Sequence, residues 1–449
     1  MNTPPARYGQ FIFERYDFNR DAKTLNLYYS LDGKLTFNES YHFDFDFVDY
    51  DEAVLDRAAA ALFLLAGSSY YKTYIPREIV VRGIQLDHFM AKFFTKTYQR
   101  GLGEFWFVNK LDPRTPVIFP TTTDEEVAPL QSDKTGDGML VGIGGGKDSL
   151  VSIELLRGQQ DNIATWSVGH RPQLTPLVER MGFPHFWVER TWDRQLLEVA
   201  KDGALNGHIP ISGIIGCVGI IAAVLAGKRD VVVSNEQSAN EPDFEYEGVE
   251  INHQYSKSQE YENDFQQLLK HLFGDQLRYY SFLRPLSELR IAEIFSAVAF
   301  DTYKDVFSSC NRAFIHTSQS ISWCGTCPKC AFTFLMLTSF IEREKLETLW
   351  GGKNLLLDPN LQTTYRQLLG IEGGKPLDCV GEIKESRSAM QLAQETYPEL
   401  KDVYRFELPE GYDFRAMHGH HMPTDIFEVL KKRLEQTDHA AETADGQEQ

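Results

Sequence analysis

One junction limits the fold more than any other stretch: "MLVGIGGGKDSLVSIELL", Met139 to Leu156. A short apolar run enters three glycines, then Lys-Asp-Ser, then a segment with helical apolar spacing. A strand passing through bare backbone into a helix is the opening of a βα unit, and it predicts a parallel sheet. Glycines let several backbone N–H groups converge without side-chain clash, and the helix N-terminus adds a favourable dipole. Together they favour an anion, most often a phosphate. Two familiar patterns fail. In G-x-x-x-x-G-K-[ST], Gly146-Lys147 would need Ser or Thr next but has Asp148, and Val141 stands where the first glycine belongs. In G-x-G-x-x-G, Lys147 stands where the third glycine belongs.

The flanking pattern extends this reading. "IATWSVG" and "DVVVS" are further short strands alternating with helices, which predicts a doubly wound parallel sheet. Residues 8 to 48 alternate apolar and polar between turn signals and predict an antiparallel unit. With 449 residues, several domains are expected. We divide them into an N-terminal α+β domain (1–137), a nucleotide-binding α/β domain (138–345), a C-terminal helical and loop region (346–435) and a disordered tail (436–449). "IPISGIIGCVGIIAAVLAG", Ile209 to Gly227, carries no charge and could span a bilayer by length. Its i, i+3 glycines and the charged "GKRD" before a strand favour a buried helix, so no membrane partner is expected.

The formal net charge of −19 repels polyanions, so no nucleic-acid partner is expected either. "MNTPPARYGQ" has no secretory h-region, which points to the cytoplasm and away from disulfides. Four of the six cysteines, Cys310, Cys324, Cys327 and Cys330, follow a C-x13-C-x2-C-x2-C spacing. Two x2 steps bring three thiolates to one tetrahedral ion and the fourth closes the site, so a structural Zn²⁺ is expected; an iron-sulfur cluster uses the same ligands.

The strand, "GGGKDS" and helix resemble the S-G-G-x-D-S loop of the PP-loop (N-type) ATP pyrophosphatases, with Gly144 where that family has serine. "RPLSELRIAEIF" before a four-cysteine cluster is similar to 7-cyano-7-deazaguanine synthase, with Arg290 in place of its usual lysine. A closer resemblance covers about residues 67 to 390. "GLGEF", "GHIP", "SNEQSA", "NHQYSK", "YYSFLRPLSEL", "SSCNRAF", "WCGTCPKC" and "CVGEIKESRSAM" look like the UDP-MurNAc-L-Ala-L-Glu epimerases, the MurL family.

That resemblance implies inversion of the terminal L-Glu of UDP-MurNAc-L-Ala-L-Glu in peptidoglycan precursor synthesis. It also implies ATP with Mg²⁺, an acyl-adenylate, and release of AMP and pyrophosphate. The nucleotide site is then Gly144, Gly145, Gly146, Lys147, Asp148 and Ser149, with Ser167, Gly169 and Asn235 after neighbouring strands. For the base that moves the Cα proton, Glu236 and His253 rank first, followed by His208 and Lys257; Cys217 and Cys379 are weighed as well. Arg284, Arg312 and Lys72 are candidate partners for substrate anions. Two other readings remain: a PP-loop amide- or thiol-transfer enzyme, and a nucleotide-binding scaffold without turnover. The oligomeric state is not legible.

Overall fold

Alternation near the start of the chain becomes an antiparallel meander: β1 (Gln10–Asn19), β2 (Thr24–Leu31) and β3 (Leu35–Asp44). In β2 the period of two buries Leu25, Leu27, Tyr29 and Leu31. These residues belong to a computed structural model that describes residues 7–134, 136–314, 320–408 and 410–445. Strand β4 (Glu78–Val81) lies parallel to β1 at the sheet edge.

A parallel core forms from the three expected strands, β5 (Met139–Gly142), β6 (Ile163–Val168) and β8 (Asp230–Val233), joined by β7 (His185–Thr191) and β11 (Arg278–Ser281), which the sequence pattern did not mark. A small hairpin, β9 (Phe244–Tyr246) and β10 (Val249–Ile251), stands apart. The large sheet has nine strands in the order β11-β8-β5-β6-β7-β3-β2-β1-β4. Counted within the parallel half alone, that is the 3-2-1-4-5 order of a doubly wound fold. The order reverses between β5 and β8, so the crevice for a ligand opens where those two strands end.

The sheet does not stop at the boundary drawn at residue 137. Strand β3 pairs antiparallel with β7, joining Tyr41 to Arg190 and Phe43 to Val188. The hydrophobic cores divide by cluster rather than by sequence position. One joins Phe11, Tyr29 and Phe63 to Ile214, Ile221 and Phe265. The other joins Val141 and Leu150 to Phe295, Phe334, Met390 and Leu430. The region from 346 therefore shares a core with the parallel strands.

The uncharged stretch is a buried helix, Ile211–Ala226, as its glycine spacing predicts. A Cβ on Gly219 would lie 2.6 Å from the Trp166 ring, so the helix approaches the sheet more closely than any larger residue allows. The last helix, Thr424–Asp445, corrects the expectation of disorder from residue 436; residues 446–449 lie outside the described residues. It docks by its side chains: Arg433 donates to the Glu154 carbonyl at 3.3 Å and Arg290 pairs with Asp438 at 2.6 Å.

Candidate active site

The glycine loop turns at the carboxyl end of β5. Gly145 has φ +88°, and a Cβ there would strike Phe314 at 2.7 Å and Leu174 at 2.9 Å. Only glycine fits on both counts. Ser308 donates its N–H to the Gly145 carbonyl at 2.9 Å, and Ser167 donates its hydroxyl to the Ile143 carbonyl at 3.0 Å. Ser167 therefore braces the loop from beneath. Gly146 is the N-cap of helix Lys147–Leu156, and no side chain caps it. A Cβ on Gly144 would meet nothing within 4 Å, so the loop is open at that position.

Two side chains of the loop point elsewhere than the sequence suggested. The Lys147 side chain is 4% exposed and its ammonium pairs with Asp148 and Glu288, so it neutralises carboxylates. Burial opposes its charge, but those two partners raise its pKa above the ordinary value. The Ser149 hydroxyl donates back to the Gly146 carbonyl at 3.1 Å. Asp148 meets Glu236, which follows β8, and Glu288; one oxygen of each lies within 4.8 Å of the others. Burial, resisted by Lys147, pushes the Glu288 carboxyl up to about 7. Three carboxylates around one point could hold a hard divalent cation. Glu236 thus belongs to the acidic cluster and not with the histidines.

A second cluster gathers His208, His253 and Lys257 with two residues outside the favoured set, Glu104 and Cys379. Glu104 pairs with His253 Nδ1 and lies 3.6 Å from His208 Nδ1, and the two imidazole rings are 4.5 Å apart. His253 also stands beside the Cys379 thiol and favours its thiolate, and Lys257 donates to that sulfur at 3.3 Å. Burial works against a charge on His253, yet Cys379 and Glu104 push its pKa up to about 10. Burial and the neighbouring His253 push His208 down to about 4. For Cys379 burial is outweighed by Lys257 and His253, and the thiol falls to about 6. Lys257 stays charged because Cys379 and Glu236 outweigh burial, so it faces both clusters.

The predicted anion binders separate. Arg284 is fully buried and fully engaged: Glu262 takes two of its bonds, at 3.0 and 2.8 Å, and the carbonyls of Glu236 and Lys257 take the others. It holds the two clusters in register, which corrects its placement among substrate contacts. Buried Lys72 donates to the Gly207 carbonyl, beside His208, and burial lowers its pKa to about 8. Arg312 is exposed in the turn after Cys310. Gly169 has φ +67° after β6, and the Asn235 carbonyl accepts from Ser281 at 2.6 Å. Cys217 is 2% exposed and raised by burial, an inert core thiol.

The remaining cysteines converge as expected. Sγ of Cys310 lies 3.9 Å from that of Cys327, and Sγ of Cys324 lies 3.7 Å from that of Cys330. A tetrahedral ion with sulfur at about 2.3 Å would space its ligands about 3.8 Å apart, so the donor set fits one. Lys329, between the last two ligands, donates to the Cys379 carbonyl. The four-cysteine knuckle thus positions a residue of the second cluster.

Glu104 and Glu288 were overlooked, although each lies in a quoted motif, "GLGEF" and "RPLSEL". An ionisable residue among the apolar and glycine positions of such a stretch is the signal that could have found them. Comparison with known proteins accounts for those motifs. Residues 2–282 match the MurL N-terminal domain and residues 306–404 the MurL C-terminal domain. A protein of Salinispora tropica is 37% identical over 401 residues, covering 88% of this chain and 87% of its own. One from Xanthomonas oryzae pv. oryzae is 39% identical over 342 residues, covering 75% and 74%. Both are named UDP-N-acetyl-alpha-D-muramoyl-L-alanyl-L-glutamate epimerase.

Proposed function

The chain belongs to the MurL epimerase family, and from that premise we propose that it inverts the terminal glutamate of UDP-MurNAc-L-Ala-L-Glu through an acyl-adenylate, with ATP cleaved to AMP and pyrophosphate. The observation that carries this reading is the adjacency of two unlike clusters. An open glycine loop with three carboxylates stands beside a thiol and two histidines, and Lys257 faces both.

Chemistry explains the pairing. The Cα proton of a carboxylate is a poor acid, because its removal builds charge beside an existing negative charge. Adenylation removes that charge, and a base can then act. The loop and helix N-terminus suit the phosphates of ATP, in the manner of a PP-loop enzyme. Asp148, Glu236 and Glu288 would hold Mg²⁺, which supplies countercharge to the pyrophosphate. The two imidazoles are pushed apart in pKa, one neutral and one protonated at pH 7, as an acid and a base should be. Glu104 orients both rings. The four cysteines would hold a structural Zn²⁺, with no open position for chemistry.

The test combines purified protein, ATP, Mg²⁺ and UDP-MurNAc-L-Ala-L-Glu in D₂O. AMP together with D-Glu deuterated at Cα is expected. AMP without inversion would favour a transfer enzyme of the 7-cyano-7-deazaguanine synthase type, and no AMP with any such acceptor would favour a scaffold. Cys327→Ser should lower both metal content and melting temperature; a stable, metal-free variant would refute the zinc assignment.

A further inference from the structure

Six thiols are present, and one stands in an environment that neither packing nor metal binding explains. Four form the knuckle and Cys217 is sealed in apolar surroundings. Cys379 is half-buried, its sulfur 3.3 Å from the Lys257 ammonium, and His253 stands beside it. The other side of that imidazole, Nδ1, is fixed by Glu104. A carboxylate orienting an imidazole that contacts a thiol is the arrangement of an activated nucleophile. The backbone is pinned as well. Lys329 donates to the Cys379 carbonyl, and the Cys379 N–H donates to Asp378 Oδ1 at 3.2 Å. Asn311 holds that same oxygen at 2.8 Å. The thiol is therefore presented rigidly, one side chain away from the carboxylates of the glycine loop.

We propose that Cys379 is a covalent catalyst that takes the glutamyl group from the adenylate as a thioester, and that the Cα proton is exchanged on this thioester. The inference rests on the adenylation reading above and adds a step to it. The thiolate sulfur attacks the acyl carbon, the bond from that carbon to the phosphate oxygen breaks, and AMP leaves with the electron pair. Sulfur overlaps poorly with the carbonyl, so a thioester holds its α-proton less tightly than an oxygen ester does. Once the sulfur is acylated, His253 loses one of the two negative partners that keep it protonated, and it can exchange its proton within the site. Water then adds to the acyl carbon, giving one proton to a neighbouring imidazole and, as the new carboxyl ionises, the second to solvent; the C–S bond breaks and the sulfur leaves as the thiolate with the glutamyl carboxylate released. Oxidation states are unchanged throughout.

The experiment is intact-protein mass spectrometry of the wild-type enzyme, quenched in acid within the first turnover with ATP, Mg²⁺ and UDP-MurNAc-L-Ala-L-Glu. The expected result is an adduct of substrate mass less one water, mapped to Cys379 and released by hydroxylamine. Cys379→Ala should form no adduct and lose inversion at least about a hundredfold, while still exchanging labelled pyrophosphate into ATP when substrate is present. Inversion by the wild type with no adduct at any quench time would overturn the thioester and leave adenylation standing. Absence of both AMP and pyrophosphate exchange in the wild type would overturn the adenylation reading, and the thioester with it.

Discussion

The acidic cluster at the glycine loop and the thiol–histidine cluster beside it are built from opposite materials. At the loop, three carboxylates gather, two of them paired with one buried ammonium, and the helix N-terminus has no side-chain cap. At the neighbouring cluster a thiol, two imidazoles and a second ammonium share one carboxylate. The first suits cations and phosphates, whose charges stay fixed during reaction. The second holds groups with pKa values spread to about 4, 6 and 10, so a neutral imidazole, a thiolate and an imidazolium stand side by side at pH 7. The difference teaches that, on the proposed reading, one crevice divides adenylation from proton transfer, provided the two groups stay in register. Arg284 supplies that register through the Glu236 and Lys257 carbonyls.

The sharpest way to break this division is Asp148→Asn. It should cut AMP formation about a thousandfold, and inversion with it, with the melting temperature unchanged; AMP formed at a normal rate would dissolve the contrast. Glu104→Gln should do the reverse, lowering inversion about a hundredfold while pyrophosphate exchange continues. If both activities fell equally, the clusters would be one catalytic unit. Arg284→Lys keeps the charge facing Glu262 but loses the planar fork, so both activities should fall together by about tenfold. A loss confined to one would mean that Arg284 serves a single cluster.

The smallest effect is a shift in pH. Alkylation of Cys379 should rise through a midpoint near 6 where an ordinary thiol would titrate near 9, and His253→Ala should move that midpoint upward. A midpoint near 9 in the wild type would remove the cationic environment we describe. The signs of linkage follow. The thiolate's contribution to stability is complete above pH 9 and is lost as pH falls through about 6. That of protonated His253 is complete below pH 6.5 and is lost as pH rises through about 10. The pair is whole only between those limits.

Three of the five parallel strands, β5, β6 and β8, were legible because their signals are local, whereas β7 and β11 were not marked. Glycines after "MLVGI", a run of three valines and a cysteine spacing each report a nearby constraint. Pairing of β3 with β7 was not, because nothing within "YHFDF" specifies a partner some 150 residues away. The same limit explains the site residues. His208, His253 and Lys257 stood in recognisable loops, and the structure brings them together. Arg284 read as a substrate anchor because a sequence shows the charge of an arginine and not the carbonyls that use it. Lys147 misled in the same way, since its partner Glu288 lies 141 residues further on.

The docking of the final helix sets an order on how this protein is made. Helix Lys147–Leu156, which carries the glycine loop, is backed by Arg433, 279 residues downstream of the carbonyl it reaches. A ribosome therefore releases the glycine loop long before the segment that supports it. During synthesis the apolar face around Leu150 and Phe295 waits for Ile426 and Leu430. That face stays uncovered until the helix Thr424–Asp445 emerges, and a product truncated before it lacks the backing of its own glycine loop.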